Sequence, residues 1–145
     1  MAVVKSNAYG HGLEITAPIA AERADWLGVN CIDEALMITR LGIDKPVAIL
    51  GHTPLDQLDD VTRNGYRQVL YRLDVAKGLS ESAQKHRTTA RVHLKLETGT
   101  NRQGIGLNDL PGFIGELSKL AGIEVEGEEV ARVFGSGIHG QVHAL

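Results

Sequence analysis

Short, nearly continuous apolar runs alternate with longer amphipathic segments along this chain, and that alternation predicts a parallel α/β fold. The candidate strands are Ala2 to Lys5, Trp26 to Val29, Val47 to Leu50, Gln68 to Tyr71, Ala90 to Leu96 and Ile123 to Val125. Most are apolar throughout rather than every second residue, as expected of strands covered on both faces. Between them lie helix signals. Asp33 is placed to cap a helix running to Gly42, and Thr53-Pro54 offers an N-cap followed by proline in the first turn. Asn64-Gly65 ends that second helix. Leu110, Phe113, Ile114, Leu117 and Leu120 share one helical face before Gly122. Pro18 sets the first helix to begin near Thr16, where a missing N–H costs nothing.

The chain has 145 residues, 43% of them hydrophobic, enough for one domain with a core. Fifteen basic and eighteen acidic residues are interspersed, giving a formal charge of −3. No block of either sign marks a nucleic-acid or membrane partner, so small-molecule chemistry is the expectation. Cys31 is the one cysteine and has no internal disulfide partner. No apolar stretch has the length of a signal peptide or a bilayer span, and a cytoplasmic location is expected. About six strands at this spacing suit either a partial (β/α) barrel or an open doubly wound sheet, and pattern alone does not separate them.

Two motifs carry chemistry. The first is Ala2-Val3-Val4-Lys5-Ser6-Asn7-Ala8-Tyr9-Gly10-His11-Gly12. An apolar strand delivers a lysine at its C-terminal end, and a glycine-punctuated turn follows, the place where barrel enzymes set reactive groups. Desolvation at such a place favours a neutral amine, which can attack an aldehyde or act as a base. A strand-end lysine taken alone more often snorkels to solvent. The second motif, Val92-His93-Leu94-Lys95-Leu96-Glu97-Thr98-Gly99-Thr100-Asn101-Arg102-Gln103-Gly104, again runs from a strand into a glycine-bounded turn. Its planar guanidinium suits an oxyanion better than an ammonium would.

Both motifs resemble signatures of the alanine racemases, the first almost residue for residue, with Ser6 where alanine is usual. Gly28-Val29-Asn30-Cys31-Ile32-Asp33-Glu34-Ala35 and Ile49-Leu50-Gly51-His52-Thr53-Pro54 are similar too, so the likeness covers most of residues 1–127. The resemblance implies a partial (β/α)8 TIM-type barrel that binds pyridoxal 5′-phosphate, with Lys5 holding it as a Schiff base. It also implies that Tyr9 supports the cofactor phosphate and that Arg102 reaches both the phenolic oxygen and the substrate carboxylate. Lys95 matches a lysine that some members carry carbamylated. The reaction implied for the complete enzyme interconverts L- and D-alanine by removing the Cα proton on one face and returning one on the other. Such an enzyme is expected to be a homodimer.

The likeness ends near Gly127, which leaves residues 128–145 as a divergent tail where a Thr-His-Phe stretch is expected. Met1 falls inside the first strand of the family pattern, so truncation at both ends is the expectation. Lys5 is then the single one of the two bases that this chain encodes. The alternatives are a catalytically incompetent cofactor-binding fragment, an inert α/β module, or a racemase of another small amino acid. Other residues take plainer readings. His139 and His143 are four apart, but Gly135, Gly137 and Gly140 argue against a shared helical face and against a metal. His11 lies in a glycine turn that lacks nucleotide-loop spacing and is expected to be structural. Cys31 is expected to be a small buried side chain rather than a nucleophile.

Overall fold

The computed structural model describes residues 1–134 and 137–144, with side chains described through residue 127. Six strands run parallel: β1 (Ala2–Val3), β2 (Leu27–Val29), β3 (Val47–Ile49), β4 (Arg67–Leu70), β5 (Ala90–Leu96) and β6 (Ile123–Phe134). Each pairs with the next in chain order, and β7 (Gly137–Ala144) folds back antiparallel on β6. Strand order never reverses, which removes the doubly wound alternative, because that fold needs a switch in direction. The sheet is a barrel segment that is not closed, with β1 and β7 as its two outer strands.

The helices are α1 (Leu13–Arg23), α2 (Ile32–Arg40), α3 (Leu58–Arg63), α4 (Leu73–His86) and α5 (Leu110–Leu117). One apolar cluster joins them to the sheet. Leu27, Val29, Val47, Ile49, Leu70, Val92 and Leu94 meet helical Leu13, Ala17, Ala35, Ile38, Val61 and Leu79 there. Alternation places Gly28, Ala48, Val69 and His93 on the opposite face of the sheet. Gly28 leaves room there, since a Cβ on it would stand 3.1 Å from Met1 Sδ and 3.2 Å from Leu50 Cδ1.

Several local expectations are corrected. Helix α1 begins at Leu13, so Pro18 lies in its interior. Pro18 and Glu14 are both exposed, so the carbonyl deprived of its N–H partner can turn to water. Cys31, extended at φ −140°, occupies the N-cap of α2, and Asp33 falls in its first turn. Thr53 caps nothing. Its hydroxyl is buried and donates to Gln68 Oε1 at 2.7 Å, while a 3₁₀ turn over Leu55–Gln57 leads into α3. Gly65 does end α3, at φ +66°. The tail from residue 128 continues β6 and forms β7; His139 and His143 therefore lie on a strand, and their side chains are outside the described residues.

Candidate active site

Because the six strands are parallel, their C-terminal ends form a single mouth, and both motifs open there. Lys5 lies two residues beyond β1 and is half-buried beside Val4, which is fully buried. The chain then does something rare. Ser6, Asn7, Ala8 and Tyr9 take φ of 55°, 54°, 53° and 54°, a left-handed helical turn made without glycine. Such a conformation costs about 1–2 kcal/mol per residue, so the surroundings must hold it.

The restraints are specific. The N–H of Gly10 donates to the carbonyls of Ser6 and Asn7, and the N–H of Gly12 to that of Asn7. Ala8 buries its methyl in the core and donates its N–H to Val4 O at 2.9 Å. Asn7 Oδ1 accepts the Leu13 N–H at 2.7 Å, tying the turn to the start of α1. Glu34, on α2, accepts the Asn7 N–H on Oε1 at 3.1 Å and the Asn30 N–H on Oε2 at 2.8 Å. Gly10 at φ +90° then reverses the chain.

The strands behind this turn are linked by polar contacts near the same mouth. The Gly51 N–H donates to Asn30 O at 3.1 Å, and Gln68 Nε2 donates to Gly51 O at 2.9 Å. Gln68 and Thr53 are buried and satisfy each other. A Cβ on Gly51 would approach Asn30 O to 2.3 Å, so only glycine lets these two backbones come so close.

The second motif leaves β5 as a loop folded around a carboxylate. Glu97 Oε1 accepts the Gly99 N–H at 2.6 Å, and Thr100 Oγ1 donates to Oε2 at 3.3 Å. Backbone donors at Asn101 and Gly99, the larger influence first, hold the Glu97 carboxyl below the usual carboxylate range. The base of the loop closes through the Ile105 N–H to Lys95 O and the Glu97 N–H to Ile105 O. Arg102 is exposed on this loop, one residue after Asn101 at φ +50°. Lys95 is half-buried on β5, opposite Glu129 in the ladder with β6.

Lys5 and Arg102 therefore lie on the C-terminal side of β1 and β5, two strands separated by β2, β3 and β4, with Lys95 near the end of β5. Tyr9 shares that turn but is 62% exposed. His11 is exposed, and Cys31 is half-buried where a buried side chain was expected. Glu34, Asn30 and Gln68 escaped the sequence reading as parts of the site. The signal for Glu34 was present: a carboxylate three residues into a helix is placed to reach back to the preceding loop.

Opposite the mouth, a second polar group occupies the N-terminal ends of the strands. Arg67 Nε and Nη2 donate to Glu126 at 2.8 and 3.1 Å, and its guanidinium lies 4.9 Å over the Trp26 ring. Trp26 also meets the buried His93 at 5.5 Å between ring centres, tilted at 51°. In barrel folds that end is where conservation serves stability.

Comparison with known proteins agrees with this geometry. The family model for the N-terminal domain of alanine racemase matches residues 1–128. The alanine racemase of Symbiobacterium thermophilum is 38% identical over 128 residues, covering 88% of this chain and 34% of that protein. The solved alanine racemase of Clostridium difficile 630 in complex with cycloserine superposes with a TM-score of 0.83 at 32% identity, covering 92% of this chain and 37% of that one. A histidine racemase from Leuconostoc mesenteroides gives 0.78 at 30% identity, covering 85% and 34%. The chain thus spans about a third of the relatives it matches. By its family model and its fold, the chain belongs to the alanine racemase family, through that family's N-terminal barrel domain.

Proposed function

We propose that this chain supplies the lysine-bearing part of a pyridoxal 5′-phosphate-dependent racemase acting on alanine. The observation that supports this most is the placement of Lys5, at the mouth of a parallel sheet on a turn that the protein holds in a costly conformation. The residues present fit such a cofactor. Lys5 offers a half-buried amine, Tyr9 an exposed hydroxyl suited to a phosphate, and Arg102 a guanidinium suited to a phenolate or carboxylate. Lys95, near the end of β5, would in carbamylated form orient Arg102 by ion pairing.

When bound, the cofactor acts as an electron sink that acidifies the Cα–H of an attached amino acid. The chain's own share of the reaction is then positional. Lys5 would hold the cofactor through its amine, and that amine would move a proton at Cα on one face. Arg102 holds the substrate carboxylate so that the Cα–H faces that amine. The opposite face needs a second base, and the two matched motifs assign none. The complete enzyme is accordingly proposed to draw it from elsewhere, as a homodimer.

The test is reductive labelling. The chain is incubated with pyridoxal 5′-phosphate, reduced with borohydride, digested and mapped. A single modified peptide containing Lys5, lost in Lys5→Ala, is expected. A label spread over surface lysines and unchanged by that substitution would overturn the reading. The similarity to a histidine racemase favours a second reading, in which the same lysine serves another amino acid. Cα-deuterium exchange measured across a panel of amino acids, each as L- and D-enantiomer, separates the two.

A further inference from the structure

Besides the Asn7 tie to Leu13 and the buried Ala8, the turn that follows Lys5 takes, among the described residues, one hydrogen bond to a side chain outside it. Glu34 is the residue that joins it to the rest of the mouth: one carboxylate oxygen takes the Asn7 N–H and the other the Asn30 N–H. Asn30 is itself fixed, because its carbonyl accepts from Gly51, whose carbonyl accepts from the buried Gln68. The polar path therefore runs from the residue two after Lys5, through Glu34, to a network shared by β3 and β4. Both bonds of Glu34 lie near solvent, and near-surface bonds contribute little to global stability. Their value lies in where they hold the turn.

We infer that Glu34 is a positioning residue for Lys5, fixing the direction of its amine by clamping the left-handed turn against the β2–α2 loop. A plain helix-capping role would use only the bond to Asn30, which immediately precedes the N-cap residue. The bond to Asn7 has no capping purpose, because Asn7 belongs to a different element, 27 positions away. Gln at this position keeps one acceptor but turns an N–H₂ toward the second N–H, so one of the two bonds must fail. Asp is one methylene shorter and cannot reach both donors from the same helical position. This role rests on the proposal that Lys5 is the reactive amine, but its geometry does not.

The experiment uses the full chain and two readouts. The first is hydrogen exchange at single-amide resolution. In Glu34→Ala and Glu34→Gln the Asn7 amide should exchange at least tenfold faster than in the parent chain, while amides of β5 such as Val92 keep their protection. The second is competitive acetylation of Lys5 across pH 7–11, read against exposed Lys77 in the same sample. The Lys5 profile should shift in both variants and the Lys77 profile should not. Pyridoxal 5′-phosphate labelling of Lys5, run in parallel, should slow at least tenfold. Acceleration at Asn30 and along α2, with Asn7 exchange and the Lys5 profile unchanged, would reduce Glu34 to a helix cap and overturn the inference. If the parent chain shows no selective cofactor labelling, the functional reading fails. The exchange and acetylation readouts still decide the clamp, and the milder Glu34→Gln keeps them informative if Glu34→Ala unfolds.

Discussion

Arg67 and Glu126, 59 positions apart, meet in a two-point ion pair whose guanidinium lies over the Trp26 ring, with side chains only 18% and 23% exposed. This pair ties the start of β4 to the bulge that separates Val125 from Gly127 on β6, across the intervening β5. Two aligned N–H donors on a shielded carboxylate are worth more than an ordinary surface contact. Arg67→Ala should therefore lower stability by about 1.5–3 kcal/mol, measured by urea unfolding at pH 7. The same pair sets a pH signature. Arg67 chiefly, with Arg91 and His93 contributing less, holds the Glu126 carboxyl below its ordinary value. A depressed carboxylate pKa contributes stability fully present above the unfolded value, about 4.3, and lost as pH falls through the folded one. The gap between the parent chain and Arg67→Ala should hold steady from pH 8 to pH 5 and narrow below pH 4. A gap independent of pH down to pH 2 would show that the loss is one of packing on Trp26.

Two glycines with opposite surroundings give a second prediction. Gly51→Ala would place a Cβ 2.3 Å from the Asn30 carbonyl oxygen, backbone that cannot give way cheaply. It should cost about 1–3 kcal/mol and also loosen the Asn30 end of the network at the mouth. Gly112 and Gly115, on α5, have nothing within 4 Å of such a Cβ. Alanine at either should instead raise stability by about 0.4–1 kcal/mol, through a less disordered unfolded chain. Thermal unfolding of the three variants checks both signs at once.

Which features the sequence disclosed depended on the range of the interactions behind them. Strand positions followed from contiguous apolar runs, and β2 to β5 lie within a residue or so of the expected limits. Helix α4 was not singled out, although Val75, Leu79 and Ala83 repeat every fourth residue on a buried face. Thr53 misled for a definite reason: its local pattern with Pro54 reads as a cap, but Gln68, fifteen residues away, claims its hydroxyl. Barrel order was not legible in any segment, since it is a property of pairing. Lys5 and Arg102 enter the proposed site through motif likeness, and the structure puts each beyond its strand. The left-handed turn was not legible, because Ser6, Asn7, Ala8 and Tyr9 include no glycine to announce positive φ. Glu34 and Asn30 acquire their roles only when α2 meets the turn after β1.

Arg102 and Arg91 separate affinity from stability. Arg91 points its guanidinium at Glu124 and Glu126, 3.3 Å from each, at the end of the sheet away from the mouth. Arg102 stands on the loop that Glu97 organises at the mouth itself. Arg102→Ala should weaken pyridoxal 5′-phosphate retention by roughly tenfold or more, the loss of one charge-assisted hydrogen bond of about 1.5–3 kcal/mol. Arg91→Ala should leave retention unchanged and lower the unfolding midpoint. Absorbance titration of both variants, alongside unfolding, is the measurement; equal affinities would remove Arg102 from the proposed site.

The final prediction concerns turnover by this chain alone. Inversion at Cα needs proton transfer on both faces, and the site proposed above provides one base, Lys5. Loss of one positioned acid–base group costs about 10²–10⁴ in rate, so with cofactor in excess D-alanine should form at most at that reduced level. Exchange on the Lys5 face has no such requirement. In deuterium oxide, whichever alanine enantiomer presents its Cα–H to Lys5 should therefore acquire deuterium at Cα with configuration retained, so both L- and D-alanine are supplied, and this uptake should vanish in Lys5→Ala. Chiral chromatography with mass detection distinguishes the products. Rapid D-alanine formation dependent on Lys5 would show that a second base is present after all, and His139 and His143 on β7 would be the first side chains to replace. Uptake that persists in Lys5→Ala would show instead that free cofactor or another lysine moves the proton, and Lys5 would lose its assigned role.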